Sequence, residues 1–320
     1  MIDAEALRGK LFPAVPVPFD AEGRVHREAQ ERYVAHLARQ PMGGVAVWAH
    51  TGRGLCLTEE QRAEVLGAWR RGLPGDRLVI ASAGGTPRER DPGRVLDSAR
   101  AMARQAAELG ADALLVHPPA AFRGRADRDR LVLLYHSAVA EAGLPLILFS
   151  LYEAAGGVAY TPQVLAELLA RPEVLGIKVA TLDGVMTYQE VARLVRAHAP
   201  GKVLVTGEDR FLGYSVMCGA SAALIGMGAA RTALQDAFLQ SYWSGDAARF
   251  LALNGPVDDL AQHTFVPPME GYIRRMLWCL VHDGVIADEA AHDPWGPRLG
   301  RAEFDEIGAC LARLPGELRP

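Results

Sequence analysis

Eight short apolar runs, separated by longer segments of helical periodicity, limit the fold of this 320-residue chain more than any other feature. Near-continuous apolar character is typical of strands that are covered on both faces, as in a parallel sheet. Eight strands that each precede a helix predict a TIM (β/α)8 barrel, with an open doubly wound sheet as the alternative. The even repeat favours the closed barrel. The runs are Leu11–Phe19, Gly44–Ala49, Leu78–Ser82, Ala113–His117, Leu146–Phe149, Val174–Lys178, Val203–Thr206 and Ala222–Gly226.

Local start signals place helices between these runs. Thr58-Glu59-Glu60-Gln61 has the pattern of a capping box, and Thr161-Pro162 pairs an N-cap residue with proline at the first helical position. Helical patterns also continue beyond the eighth repeat. We therefore expect a barrel over residues 1–243 and a C-terminal helical extension, packed on the barrel, over residues 244–320. The predicted helices of the extension are Ala247–Leu253, Glu270–His282 and Ala302–Leu314.

Composition excludes several classes of protein. The net charge of −4 lacks the positive excess that nucleic-acid binding requires. The sequence contains no run of about 18 apolar residues, which is the length that a membrane-spanning helix needs. The acidic start of the chain does not resemble a secretory signal. Four dispersed cysteines without a CxxC pair are typical of reduced thiols, so we expect a cytoplasmic protein. The histidines lack HxH or HExxH spacing, and we expect no metal site.

Lys178 is the most unusual residue of the predicted strands. Only three of the 34 basic residues are lysine, and this one ends an apolar run. Strict alternation along Val174–Val179 places Lys178 and Val174 on the inner face and Leu175 on the face that meets the outer helices. Burial lowers the pKa of such an amine, and the neutral form can attack a carbonyl to give a Schiff base. A structural ion pair with Glu208-Asp209 is the alternative.

Other segments occur in a defined order around this lysine. They are Ala14–Phe19, Gly44–Leu57 followed by Thr58-Glu59-Glu60, Leu175-Gly176-Ile177-Lys178, Thr206-Gly207-Glu208-Asp209 and Gly219–Ala222. In order and spacing they resemble the motifs of the dihydrodipicolinate synthase / N-acetylneuraminate lyase family of class I aldolases, over residues 8–300. The resemblance implies a lyase that acts on a 2-oxo acid without a cofactor, and a homo-oligomer, either tetramer or dimer.

The resemblance also implies roles for individual residues. Lys178 corresponds to the lysine that forms an imine with pyruvate or a related acid. The loop after the second strand, with His50, Thr51 and Gly52, corresponds to the segment whose backbone N–H groups hold the substrate carboxylate. Four further residues at the ends of strands 5, 7 and 8 are expected to border the substrate. They are Phe149, Gly207, Gly226 and Met227.

Departures from the family pattern argue against dihydrodipicolinate synthase itself. The family's G-[ST]-T-G-E loop reads Ala49-His50-Thr51-Gly52-Arg53 here, and Phe149 replaces the strand-5 tyrosine that relays protons. No arginine for a second carboxylate occurs in Ser150–Gly157. His50 and Tyr152 are then the candidates for proton transfer. Arg53 is expected to pair with Glu59 or Glu60.

Two functions are consistent with this sequence. The first is a Schiff-base lyase, either an aldolase or a dehydratase, that uses Lys178, His50 and Tyr152 on a small 2-oxo acid. The second is a catalytically silent barrel that binds a small carboxylate as a sensor or partner subunit, because the usual tyrosine relay is missing. A barrel similar to phosphosugar isomerases is a third alternative, with less support from the sequence. Glu208 and Asp209 are expected to precede a helix as an N-terminal pair, and Tyr272 is expected to serve packing.

Overall fold

Parallel strands form the centre of the computed structural model, which describes residues 2–182 and 184–315. In this part of the chain the eight strands are β1 (Leu11–Pro13), β2 (Gly44–Val47), β3 (Leu78–Ser82), β4 (Ala113–Val116), β5 (Leu146–Leu151), β6 (Val174–Ala180), β7 (Val203–Thr206) and β8 (Ala222–Ile225). They pair in the order β1-β8-β7-β6-β5-β4-β3-β2. A parallel bridge between Ala14 and Ala46 joins the two ends of this order. The predicted TIM barrel is therefore confirmed.

Helices cover the outside of the barrel and continue beyond it. They are α1 (Arg27–Leu37), α2 (Glu59–Gly72), α3 (Pro92–Glu108), α4 (Arg128–Ala140), α5 (Pro162–Leu169), α6 (Val185–His198), α7 (Leu212–Met217), α8 (Thr232–Trp243), α9 (Ala247–Thr264), α10 (Tyr272–His282) and α11 (Arg301–Arg313). The predicted capping box is present, because the Thr58 hydroxyl accepts from the Gln61 N–H at 3.2 Å and the Gln61 side chain accepts from the Thr58 N–H at 3.0 Å. No helix in the described ranges combines the length and apolar character needed to cross a membrane.

The strict alternation predicted along β6 is wrong at its start. The pairing register of β5 and β6 shifts after Leu146, which lies opposite Val174, whereas Ile147 lies opposite Gly176. Val174 therefore packs in the outer apolar core and Leu175 in the inner one. Such an extra residue in one strand is a β-bulge. The alternation is regular again beyond the bulge, so Lys178 does point into the barrel.

Helix α9 is much longer than the sequence predicts. Asn254-Gly255-Pro256 indicates a helix end after Leu253, yet the helix continues to Thr264 with Pro256 inside it. An interior proline costs about 3 kcal/mol. Burial of the apolar face formed by Leu253, Val257 and Leu260 offsets this cost, since each buried aliphatic side chain contributes about 1.5–3 kcal/mol.

Arg275 of α10 fixes the segment between α9 and α10 above the barrel. Its fully buried guanidinium donates to the carbonyl oxygens of Val266 at 2.7 Å and Pro268 at 3.3 Å, and pairs with Glu303 at 2.7 Å. These contacts satisfy a buried charge that would otherwise be costly. The extension thereby holds residues 265–272 at the C-terminal ends of the strands, where the functional sites of such barrels lie.

Candidate active site

Lys178 lies inside the barrel, near the C-terminal ends of the strands. It is 6% exposed, and its Nζ lies 4.1 Å from the ring centroid of Phe149, the residue opposite it in β5. Burial lowers the pKa of the amine to about 8, although the charges of Asp209 and Glu208 oppose the shift. Among the described residues no carboxylate oxygen lies within 4.0 Å of Nζ, so the expected alternative of a direct ion pair is not observed.

Two glycines keep the space beside this amine open. A Cβ atom at Gly207 would lie 2.4 Å from Cε of Lys178. A Cβ atom at Gly226 would lie 3.1 Å from the Tyr272 ring and 3.4 Å from the Thr51 hydroxyl. Any larger residue would therefore enter the small cavity of about 30 Å³ above the lysine. This lysine cavity is lined by His50, Thr51, Phe149, Leu151, Tyr152, Lys178, Ala180, Leu182, Gly207, Asp209, Gly226, Phe265 and Tyr272.

Glu208 and Asp209 do not form the predicted helix N-terminal pair, because α7 begins only at Leu212. Glu208 instead accepts from the backbone N–H of Thr181 at 2.6 Å and from its hydroxyl at 2.9 Å. Asp209 accepts from the backbone N–H of Met227 at 2.7 Å. Burial raises the pKa of both carboxyl groups to about 7. They hold the loops after β6 and β8 around the lysine.

His50 contacts a carboxylate from the C-terminal extension. Its Nε2 lies 2.9 Å from Oε1 of Glu270, and the hydroxyl of Tyr152 donates to the same oxygen at 3.5 Å. Burial opposes ionisation of Glu270, but hydrogen bonds and charges from His50 and Arg53 outweigh burial and lower its pKa to about 2. A histidine that is oriented by a carboxylate is a common arrangement for general acid–base chemistry.

Arg53 does not pair with Glu59 or Glu60, so that prediction is wrong. Its backbone adopts a left-handed conformation, with φ of 52°, after the short 3-10 turn His50–Gly52. The guanidinium is thereby directed to the extension. It contacts Glu270 at 2.6 Å and forms a bidentate pair with Asp293 at 2.7 and 3.1 Å. Such a pair fixes both carboxylates geometrically.

Tyr272 belongs to the site as well as to the apolar core. Its hydroxyl lies 2.9 Å from the hydroxyl of Thr51, and its ring stacks on Phe265 with centroids 4.6 Å apart. Sequence reasoning assigned Tyr272 to packing and did not consider Glu270 or Asp293. The available signal was Arg53 itself, since an arginine where the family has a glutamate needs a carboxylate from elsewhere.

The predicted site residues thus divide into two groups. Seven of them border the lysine cavity, whereas Gly52 and Met227 do not. The N–H of Gly52 already bonds to the carbonyl of Ala49 at 2.9 Å, and the side chain of Met227 packs in the outer core. In contrast, the backbone N–H groups of His50 and Thr51 have no acceptor in the described part of the chain. The seven are Lys178, His50, Tyr152, Thr51, Phe149, Gly207 and Gly226.

A buried lysine at the C-terminal ends of the strands of a (β/α)8 barrel is the arrangement that the resemblance to class I aldolases predicts. Residues 7–304 match the model of the dihydrodipicolinate synthetase family, and the chain belongs to that family. It is 30% identical over 252 residues to the 4-hydroxy-tetrahydrodipicolinate synthase of Parasynechococcus marenigrum, covering 77% of each chain. It is 28% identical over 262 residues to the enzyme of the same name from Synechococcus sp. strain CC9605, covering 80% of each.

Solved structures agree with this assignment at the level of the fold. A dihydrodipicolinate synthase from Bacillus anthracis superposes with a TM-score of 0.81 at 17% identity, covering 99% of this chain and 100% of that one. An N-acetylneuraminate lyase from Mycoplasma synoviae gives a TM-score of 0.77 at 19% identity, with coverage of 97% and 99%. A prophage protein of the same family from E. coli K12, solved in complex with pyruvate, gives 0.81 at 18% identity, with coverage of 95% and 97%.

Proposed function

We propose that this protein is a lyase that forms a Schiff base between Lys178 and pyruvate or another 2-oxo acid. One observation carries the proposal: the lysine cavity is bordered both by a buried amine of lowered pKa and by the loop with the unbonded N–H groups of His50 and Thr51. An amine of this kind can attack the 2-oxo carbon, and the N–H groups can hold the adjacent carboxylate. No cofactor is needed for this chemistry.

The reaction then follows from the electrophilic character of the imine. The Lys178 nitrogen adds to C2 of the substrate, and the resulting carbinolamine loses water to give a protonated imine. The imine accepts the electron pair of a broken C3–H or C3–C4 bond, which yields an enamine. Tyr272, bonded to Thr51, provides the phenol that Phe149 lacks and assists the departure of water. His50, bonded to Glu270, takes and returns the C3 proton.

Replacing Tyr272 with phenylalanine should slow the exchange of the pyruvate C3 protons about 10²–10³-fold, since positioned acid–base groups contribute about that much. The ring remains stacked on Phe265, so the loss of one buried hydrogen bond to Thr51 should cost only about 1–2 kcal/mol of stability. Proton NMR in deuterium oxide measures the exchange. Tyr242→Phe is the matched control on α8, remote from the cavity. An unchanged exchange rate in Tyr272→Phe removes this residue from the relay.

The rate of imine formation should follow the neutral fraction of Lys178. With a pKa of about 8, the rate should rise about tenfold per pH unit below pH 8 and level off above it. Asp209→Asn should move the midpoint to lower pH, because the carboxylate stabilises the ammonium. Cyanoborohydride trapping at a series of pH values measures the rate. Asp97→Asn, an exposed position on α3, should leave the midpoint in place, and a midpoint that stays fixed in Asp209→Asn contradicts the assignment.

The decisive test adds pyruvate and borohydride and looks for a mass increment on the peptide that contains Lys178. We expect labelling of that residue alone, together with exchange of the C3 protons in deuterium oxide. A barrel that only binds a carboxylate would give a ligand-induced thermal shift without either result. Absence of labelling by several 2-oxo acids removes the proposed function. A homotetramer or dimer stays a prediction from the family resemblance.

A further inference from the structure

A second cavity of about 170 Å³ adjoins the lysine cavity. His50 lines both cavities. His117, at the end of β4, lines the second cavity, and its ring meets the Phe149 ring edge-on with centroids 6.0 Å apart. Phe149 is in turn the ring beneath Nζ of Lys178. The second cavity is therefore placed to hold whatever extends from a substrate bound to the lysine.

The walls of the second cavity do not suit a charged ligand. Trp48, Leu55 and Ala121 supply apolar surface. Arg53 is the one arginine or lysine among the described lining residues, and both neighbouring carboxylates already occupy its guanidinium. Glu89 accepts from two backbone N–H groups, at 2.7 and 2.8 Å. No cationic side chain among the described lining residues is therefore free to pair with a carboxylate of a ligand in this cavity. An unpaired ligand charge would be costly to bury there.

His117 is a polar side chain of this cavity that has no protein partner in the described ranges. Its Nδ1 is buried without a hydrogen bond, and within the described ranges neither ring nitrogen contacts a donor or acceptor. Burial lowers the pKa of His117 to about 3, so the ring is neutral at pH 7 and carries one donor and one acceptor. Nδ1 has almost no accessible surface, whereas Nε2 does, so Nε2 is the ring atom to which a ligand oxygen in the cavity can hydrogen-bond.

We propose that the second cavity binds an uncharged, mainly apolar aldehyde whose carbonyl oxygen hydrogen-bonds to His117, and this rests on the proposed function. The enamine carbon attacks the aldehyde carbon and a C–C bond forms. The carbonyl π electrons move to the oxygen, which takes from His50 the proton that left C3. Water then hydrolyses the imine, which frees Lys178 and releases a 4-hydroxy-2-oxo acid. Cleavage is the reverse sequence.

The specificity test compares three aldehydes at saturating pyruvate: benzaldehyde, glyceraldehyde and succinic semialdehyde. We expect kcat/KM for benzaldehyde to exceed the other two at least tenfold. In Ala121→Phe the new ring fills the second cavity, so kcat/KM for benzaldehyde should fall at least tenfold below that of the parent protein. The rate of pyruvate exchange in the same variant is the reference, and it should not fall with it. Ala101→Phe, exposed on α3, is the matched control. Preference for glyceraldehyde or for the charged semialdehyde overturns the inference.

A binding measurement separates this inference from the proposed function. Cys56 is an exposed thiol that lines the second cavity. In Lys178→Met, which cannot form an imine, unreactive benzyl alcohol should slow alkylation of Cys56 by iodoacetamide, whereas glycerol should not. Shielding by benzyl alcohol alone supports an apolar binding site in the second cavity, whether or not the parent protein exchanges the C3 protons of pyruvate. If the parent protein does not exchange them, that result contradicts the proposed function and leaves the apolar site in place. Equal shielding by both alcohols, or by neither, overturns the inference.

Discussion

Replacing Lys178 with methionine should reduce pyruvate exchange and lyase turnover to background, a loss of at least about 10³-fold, because the nucleophile itself is removed. Methionine keeps the length of the side chain and is unbranched, so it fits the space beside Gly207 without repacking. Mass spectrometry should find no borohydride-dependent label. Lys10→Met, the same substitution at the opposite end of the barrel, should retain full activity.

The same variant should be more stable than the parent protein at pH 7. Burial lowers the pKa of Lys178 from 10.5 to about 8, so the fold binds this proton more weakly than the unfolded chain does. Between pH 8 and 10.5 the unfolded chain holds more protons, and stability rises with pH. Below pH 8 Lys178 is charged in the folded state, and burying this charge lowers the free energy of unfolding by at most about 3 kcal/mol. Methionine removes that cost, and we expect a gain of about 1–3 kcal/mol.

Urea unfolding at pH 7 and at pH 10 measures this effect. The parent protein should gain stability between the two pH values relative to Lys178→Met, and the difference between the proteins should shrink at pH 10. Lys10→Met again serves as the control, with no comparable change. Loss of both activity and stability in Lys178→Met would indicate a structural lysine, which is the alternative that the sequence left open.

The barrel could be predicted because its strands are buried on both faces. That environment produces eight apolar runs in the sequence. A strand can be predicted from each run even when its first and last residues are assigned wrongly by one or two positions. The bulge at the start of β6 left no such trace. The bulge depends on a close local contact. A Cβ atom at Gly176 would lie only 2.0 Å from the carbonyl oxygen of Val203, so this position requires glycine. A single glycine in an apolar run does not distinguish a bulge from a regular strand.

The site could be predicted only where the barrel itself supplies it. Lys178, His50 and Thr51 lie at strand ends, and the topology brings strand ends together whatever the connecting loops do. Glu270 and Tyr272 lie more than 200 residues from His50, in an extension whose apolar periodicity indicates packing alone. Their position depends on long-range contacts, above all those of Arg275, which no local pattern records.

Replacing Arg53 with alanine should destabilise the protein by about 3–5 kcal/mol, since a buried carboxylate left without its partner is far more costly than the pair. The side chain of Arg53 is 8% exposed and that of Asp293 is 2% exposed. Arg24→Ala is the matched control. It removes exposed ion pairs to Asp20 and Glu22, which solvent screens, and should leave the free energy of unfolding almost unchanged. Equilibrium urea unfolding at pH 7 measures both variants.

The destabilisation by Arg53→Ala should depend on pH in a defined direction. The pKa of Glu270 is lowered from 4.5 to about 2, so its pairing stabilises the fold above pH 4.5, and this contribution is lost as the pH falls through 2. The difference between the parent protein and Arg53→Ala should therefore shrink as the pH falls from 4.5 towards 2. A difference that stays constant would instead assign the effect to lost packing of the arginine stem.

Removing both buried charges separates these two causes. In Arg53→Met combined with Asp293→Asn, no unpaired charge remains between the two positions, and apolar replacement of a buried pair is often nearly neutral. We expect this double variant to recover more than half of the stability lost in Arg53→Met alone. Activity should not recover with it, because Arg53 also holds Glu270 at 2.6 Å, and Glu270 orients His50. Stability restored without proton exchange would show that the arginine positions the histidine–glutamate pair as well as stabilising the fold.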